Sequence, residues 1–485
     1  MRARGGLAPH GAARVQLTLF GYLLLPVCAA AILQPGWQLQ LVLLASAFGA
    51  ASPLVLGGLG LPPGVIPACL FLAYVALQFL LGARFPAAGR AWRTLEPLLL
   101  AALYALVTAV LVPRLMAGSF TVWPQKPTPP YDLPVPIQPS LSNITQGFYL
   151  LLDTAVLAGV ALHLGRSRLD PLRVLHAYLA CGYLVVAICA WQLASKLTEL
   201  WYPEAVLYSN PGWAILPGQM VGTVPRINGP FSEPAALAFY LSGIVFCCAW
   251  LVLRGHRSRA ALGLLPLAIL ALVLSTSTTG FVALGVGGGW LVAYGLSRAP
   301  RAVARRIFLV AVPVAAAGVA AGLFASTMSD RIEDAVAVVT RQSLAKADSD
   351  SFATRTGLDL DSLAVLWPTY GFGAGWGSVR ASSLGPGLLA NLGVFGAALL
   401  AWFAVRVARQ VGRARRLAAD AGQLKVLDGL SAAVAGHLVA AFISAPALNA
   451  PDFYVLLGTL IACAARAEEE GRRMAAARLA RRPAA

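Results

Sequence analysis

Residues 177–194 read AYLACGYLVVAICAWQLA, eighteen consecutive positions without a charge. As a helix rising 1.5 Å per residue, such a run is roughly 27 Å long, close to the ~30 Å hydrocarbon core of a bilayer. Leu99–Val112 and Phe308–Phe324 are equally free of charge. The alternation that marks a lipid-facing barrel strand is absent, so helices are the means of satisfying this backbone in lipid. The same composition extends along all 485 residues, with 58% hydrophobic, 12% charged and a mean hydropathy of +0.73. These values lie outside the soluble range. The expected fold is all-α: a single integral membrane domain over residues 1–485, built as a polytopic transmembrane helical bundle.

The net charge of +17 would point to nucleic acid in a soluble protein. Here the basic residues fall in short loops between apolar runs, the pattern of cytoplasmic loops, and no nucleic-acid partner is expected. Only four of the 37 basic residues are lysines, a bias for which we have no functional account. All seven cysteines sit inside apolar runs, so a disulfide framework is not expected. Met1–Arg14 is basic and leads into an apolar run without a small-residue cleavage site, which reads as an anchored first helix.

Six arginine clusters set the expected topology: Arg84/Arg90/Arg93, Arg166/Arg168/Arg173, Arg254/Arg257/Arg259, Arg298/Arg301/Arg305/Arg306, Arg406/Arg409/Arg413/Arg415/Arg416 and Arg472/Arg473/Arg478/Arg481/Arg482. All six are expected in the cytoplasm. Between them the apolar runs pair as out-and-back hairpins at about 95–117 and 147–165, 174–195 and 234–253, 260–276 and 278–297, 307–326 and 384–405, and 425–445 and 451–466. Three further runs, at about 16–33, 38–57 and 62–82, precede Arg84. An odd number conflicts with a cytoplasmic terminus carrying Arg2, Arg4 and Arg14, so the count is twelve if one run is re-entrant and thirteen if the terminus faces out. Gly57, Gly58, Gly60, Pro62 and Pro63 favour twelve, with the second and third runs forming a broken element.

Three long segments then face the periplasm, some of them expected to carry short helices. Residues 118–146 are proline-rich and read as a stiff, extended spacer or rim. Residues 198–233 hold Trp201, Tyr202, Glu204, Tyr208, Trp213, Arg226 and Glu233. Residues 327–383 carry Arg355, Asp361 and Arg380 among other charges. Arginines outside run against the positive-inside bias, and an anionic ligand supplies the reason. Arg226 opens RINGPFSEP (226–234), just before an apolar helix whose amino-terminal N–H groups would join its guanidinium in holding phosphate oxygens. Ser232 is expected as the N-cap, with Pro234 near the first helical position. The plainer alternative pairs Arg226 with Glu233 to close a loop.

A second cluster runs from Arg355 through WPTYGFGAGWG (367–377), including Gly375 and Trp376, to Arg380. Alternating glycines let backbone approach a ligand closely, although the same pattern makes a re-entry turn. Residues 331–344 read as an amphipathic helix on the outer surface or a lid on the bundle. Trp201, Tyr202 and Trp213 suit sugar stacking and equally an interfacial belt. No histidine falls in an outer loop and no spacing of metal-site quality occurs, so neither a metal nor another cofactor is expected. Glu233 and Asp361 are the best available carboxylates for a base, ahead of Glu204.

Three blocks carry a resemblance: RINGPFSEPAALAFYL (226–241), LSTSTTGF (274–281) and the Arg355–Gly377 stretch. Together they resemble the O-antigen ligase and Wzy-type O-antigen polymerase superfamily, membrane glycosyltransferases of the GT-C class, over roughly residues 220–405. The resemblance implies transfer from an undecaprenyl-diphosphate-linked oligosaccharide at the periplasmic side of a bacterial inner membrane. It implies Arg226, Glu233 and Arg355 as catalytic residues, and Arg380, Ser232, Gly375, Trp376 and Asp361 as substrate-binding residues. Thr278 or Thr279 stands where the family's serine-rich tip often holds an arginine, and no histidine follows the glycine-rich stretch in SSLGP (382–386). Both departures favour a polymerase over a ligase. The implied partners are the growing glycan, or a lipid A core acceptor for a ligase, together with membrane lipid and a chain-length regulator. A transporter or flippase of lipid-linked glycans is the alternative from another class.

Overall fold

The uncharged runs form helices wherever the structure, a computed structural model, describes them: residues 15–126, 133–166, 169–213, 215, 220–221, 224–298, 350–418, 420–444 and 449–480. In chain order these are α1 (Leu19–Leu33), α2 (Gln38–Ser46), α3 (Val65–Leu80), α4 (Ala88–Leu115), α5 (Leu141–Leu164), α6 (Leu172–Thr198), α7 (Glu204–Leu207) and α8 (Pro234–Leu253). There follow α9 (Arg259–Leu274), α10 (Thr278–Arg298), α11 (Asp350–Ala364), α12 (Leu384–Leu417), α13 (Ala421–Ser444) and α14 (Pro451–Ala480). Among the described residues six helices, α4, α5, α6, α8, α12 and α13, are long and apolar enough to cross a membrane, and α1, α3 and α9 are shorter apolar helices. The all-α bundle expected from composition is therefore present. The run at 307–326 and the amphipathic stretch 331–344 lie outside the described residues.

Lipid tails are as apolar as leucine, so helices in a bilayer associate by close packing, and small residues permit it. A Cβ on Gly436 of α13 would come within 2.5 Å of the Ser242 carbonyl of α8, and one on Gly458 of α14 within 2.8 Å of the Leu157 carbonyl of α5. These two pairs, α8 with α13 and α5 with α14, form the centre of the bundle. Leu157, Leu175, Leu241, Leu430 and Ile461 are fully buried there.

The arginine clusters meet at one end. Arg90 pairs with Glu469, Arg406 with Glu96 at 2.9 Å, and Arg413 with Glu468 at 2.8 Å. Buried Asp428 lies within ion-pair distance of Arg254 at 3.2 Å, His256 at 2.8 Å and Arg415 at 2.9 Å, joining the α8–α9 turn to α12 and α13. Arg166 reaches Gln78 and Arg466 reaches the Leu169 carbonyl. Of the Arg298–Arg306 cluster, only Arg298 falls within the described residues.

Three expectations are corrected. The broken element is α1 with α2, not the second and third runs. A turn at Pro35–Trp37 reverses the chain between α1 and α2, and α2 has nine residues, ~14 Å, too short to cross. The glycines at 57–60 instead turn a small antiparallel sheet, β1 (Val15–Leu17), β2 (Leu54–Leu56) and β3 (Leu59–Gly60), at the far end from the arginine clusters. The proline-rich segment ends early because Ser140 and Asn143 form a reciprocal capping box that starts α5 at Leu141. Its flanks pair as β4 (Thr121–Val122) and β5 (Val135–Pro136). Finally, the N-cap of α8 is Glu233 in extended conformation, not Ser232, because Pro234 takes the first helical position.

Candidate functional site

At the far end, the loop bearing Arg226 follows a short hairpin of β6 (Met220–Val221) and β7 (Val224–Pro225) and is fastened from both sides. From α6, the Gln192 side-chain oxygen accepts from the Asn228 and Gly229 N–H groups at 3.0 and 2.8 Å. Its nitrogen donates to Asn228 Oδ1 at 2.8 Å and Tyr208 Oη at 2.7 Å. The Pro230 carbonyl accepts from Ala50 N–H at 3.0 Å, and Ile227 and Phe231 are buried. Gly229 is required by its φ of +55° and by Cys189 Sγ, 2.7 Å from where a Cβ would stand. Burial of these N–H groups makes their acceptor obligatory.

The clamp leaves Arg226 half-buried and aimed at the α9–α10 tip. Its Nε and Nη2 donate to the Ser275 and Thr276 carbonyls, both at 3.4 Å, and Lys196 Nζ donates to the Arg226 carbonyl at 2.7 Å. At 3.4 Å these guanidinium bonds are long and weak. Thr276 takes a left-handed φ of +49°, turning the tip's carbonyls outward toward the guanidinium. Burial holds the Arg226 guanidinium below its ordinary pKa, Glu233 opposes that by attraction, and Arg355 adds repulsion. Glu233 and Arg355 are therefore both within electrostatic reach of Arg226. Arg355 projects from α11, exposed, and donates to Ser444 Oγ at 3.0 Å at the end of α13. Glu233 is exposed at the amino terminus of α8, and Ser232 beside it is half-buried.

Arg380, Asp361, Gly375 and Trp376 form a second group with partners of its own. The Arg380 N–H donates to the Trp123 carbonyl at 2.8 Å, and Trp123 Nε1 donates to Asp361 Oδ2 at 3.0 Å. No described contact joins this group to Arg226. The glycines at 371, 373, 375 and 377 all have φ near +80 to +91°. The close approach they permit is to the chain itself: a Cβ on Gly375 would meet the Thr108 carbonyl at 2.4 Å. Ala374 and Gly375 N–H groups bond the Ala390 and Asn391 carbonyls at 2.8 and 3.1 Å, beside a break in α12 at Gly393, where φ is 65° and ψ −171°. Trp376 is buried, its Nε1 donating to the Gln146 carbonyl at 3.0 Å.

Sequence patterning did not single out Gln192, Lys196, Asn391 or Asp359. Asp359 accepts from Ser382 N–H, Ser383 N–H and Ser383 Oγ at 2.6, 3.1 and 2.6 Å, fixing the start of α12. The one available signal was a lone glutamine in an apolar run. Beside the Arg226 loop, Trp191 packs at a tilt against Trp201 and edge to face with Tyr202, with ring centroids 5.7 and 5.8 Å apart. A hollow of about 420 Å³ opens there, lined by Leu19, Ser195, Trp201, Tyr202 and Glu204 among others. Burial, more than any other influence, raises the Tyr208 hydroxyl to about 12, so it stays a neutral donor and acceptor in the clamp. Among the described residues no three His, Cys, Asp or Glu side chains converge as on a metal ion. No protein-family model and no curated protein matches the chain.

Proposed function

We propose that the protein is a periplasmic-side membrane glycosyltransferase that polymerises undecaprenyl-diphosphate-linked oligosaccharide repeat units into a surface polysaccharide. One observation supports this above the others: Arg226 of the first block resembling the polymerase and ligase superfamily meets the serine-rich tip of the second, and Arg355, which opens the third, lies within its electrostatic reach. Positive-inside bias assigns the arginine-rich end to the cytoplasm and the Arg226 end to the periplasm of a bacterial inner membrane. In this reading α1 and α2 form a re-entrant hairpin from the periplasmic side, and α3 is the first helix to run to the cytoplasmic end.

In this mechanism Arg226 and Arg355 hold the diphosphate, with the amino terminus of α8 adding its partial positive charge. The bond from the donor sugar's anomeric carbon to the diphosphate oxygen breaks as an acceptor hydroxyl attacks. The electron pair leaves on the diphosphate, where the two guanidiniums stabilise it. Glu233 takes the hydroxyl proton. Trp201, Tyr202 and the adjoining hollow offer sugar rings an apolar face. Arg380, Asp361, Gly375 and Trp376, which the resemblance implies as substrate-binding, would serve the glycan away from the diphosphate, and a chain-length regulator would dock on the periplasmic side.

Replacing Arg226 or Arg355 by alanine abolishes polymer while protein level stays normal; normal polymer length in both variants overturns the assignment. Deleting the gene leaves single lipid-linked repeat units if the protein polymerises. Unattached long chains would instead identify a ligase transferring polymer to lipid A core or a protein. A second reading, translocation of lipid-linked glycans, draws on the buried Asp153, Asp452 and His437. Repeat units retained on the cytoplasmic leaflet after deletion would favour it.

A further inference from the structure

The bundle interior holds a polar cluster that glycosyl transfer does not use. Asp153 of α5 is 2% exposed and Asp452, in the first turn of α14, is 4% exposed. Asp452 lies within electrostatic reach of Asp153, and of Tyr178 on α6 and Tyr240 on α8. The two tyrosine rings meet edge to face at 6.1 Å, and His437 of α13 lies 6.3 and 6.5 Å from them. Tyr178 and His437 are fully buried and Tyr240 is 3% exposed. Both tyrosine hydroxyls and both ring nitrogens of His437 have no hydrogen-bond partner among the described residues. Tyr149 and Tyr454 also lie within electrostatic reach of Asp153, and Cys181 within that of Asp452.

Neither carboxyl forms an ion pair among the described residues, where no cluster suited to a metal ion occurs either. Two like charges in an apolar interior, without a cation, oppose burial and each other. Neutralisation of at least one carboxyl therefore falls to a proton. We infer that Asp153 and Asp452 form a proton-binding site in the bundle interior, beside Tyr178 and Tyr240 and occupied by at least one proton at neutral pH. The site adjoins the arginine loop, because the Tyr240 ring lies 5.3 Å from that of Phe231.

Infrared spectroscopy of the full-length chain in lipid vesicles tests this without reference to sugar chemistry. The expected spectrum has a protonated-carboxyl C=O band at neutral pH that weakens or disappears in Asp153→Asn and in Asp452→Asn. Absence of the band, or a band undiminished in both variants, overturns the site. Should neither asparagine variant fold, Tyr178→Phe and Tyr240→Phe carry the test: a shifted band supports the site, and an unshifted band in both contradicts it. Polymer formation does not enter this readout, so loss of the glycosyltransferase proposal leaves the proton site standing, and the reverse.

Discussion

The two ends of the bundle treat arginine differently. At the end where the clusters gather, guanidiniums meet carboxylates: Arg406 with Glu96, Arg413 with Glu468, and Arg254 and Arg415 with the shared Asp428. At the far end Arg226 reaches the carbonyls of a serine-rich tip at 3.4 Å, and Arg355 reaches a serine hydroxyl. Ion-paired arginines are satisfied by the fold. Arg226 and Arg355 are close enough to repel, and that repulsion is relieved when a diphosphate lies between them. The difference separates charge that fixes topology from charge proposed to do chemistry.

Substitutions at the two ends should therefore break different properties. The largest effect is expected from Arg226→Ala, with polymerisation falling roughly 10²–10³-fold, as for loss of one preorganised donor. A glycan gel beside an immunoblot measures it. Next comes Gln192→Ala, which leaves the buried Asn228 and Gly229 N–H groups without an acceptor at about 1–3 kcal/mol each. Thermal unfolding in detergent reads the loss, and polymer length should shorten with it because the loop no longer holds Arg226.

Asp428→Asn strips Arg254, Arg415 and His256 of their shared carboxylate. Since those partners are partly exposed, the expected cost is about 2 kcal/mol, read as a lowered Tm with polymer chemistry intact in the remaining folded protein. The smallest effect belongs to Arg413→Ala: its exposed pair with Glu468 is worth under about 1 kcal/mol, and polymer should be normal. Activity lost in Arg413→Ala, at normal protein level, would erase the contrast between the ends.

Hydropathy made most of the bundle legible. The paired runs from 95 to 297 and from 384 to 466 correspond to helices, because uncharged length is the property that lipid selects. It did not distinguish a crossing from a hairpin, since α1 and α2 are as apolar as their neighbours, and only Pro35 and Gly36 mark the reversal. The site was legible as residue types, with Arg226, Glu233 and Arg355 picked out by their charge on the outer side. Their support was not. Gln192 sits one helix away and more than thirty residues upstream of the groups it holds, a relation that spacing does not encode. The glycines of 371–377 suit either room for a ligand or a re-entry turn, and in the structure the room is taken by Thr108, Asn391 and the break at Gly393. Positive φ and ligand approach demand the same residue, so sequence alone does not separate them.

Photo-crosslinking with an undecaprenyl diphosphate analogue, followed by mapping of the labelled peptides, addresses the diphosphate assignment most directly. The account predicts adducts in residues 226–233 and around Arg355, lost in Arg226→Ala. Labelling confined to the Arg406–Arg416 end, or labelling of 226–233 that persists in that variant, would contradict it.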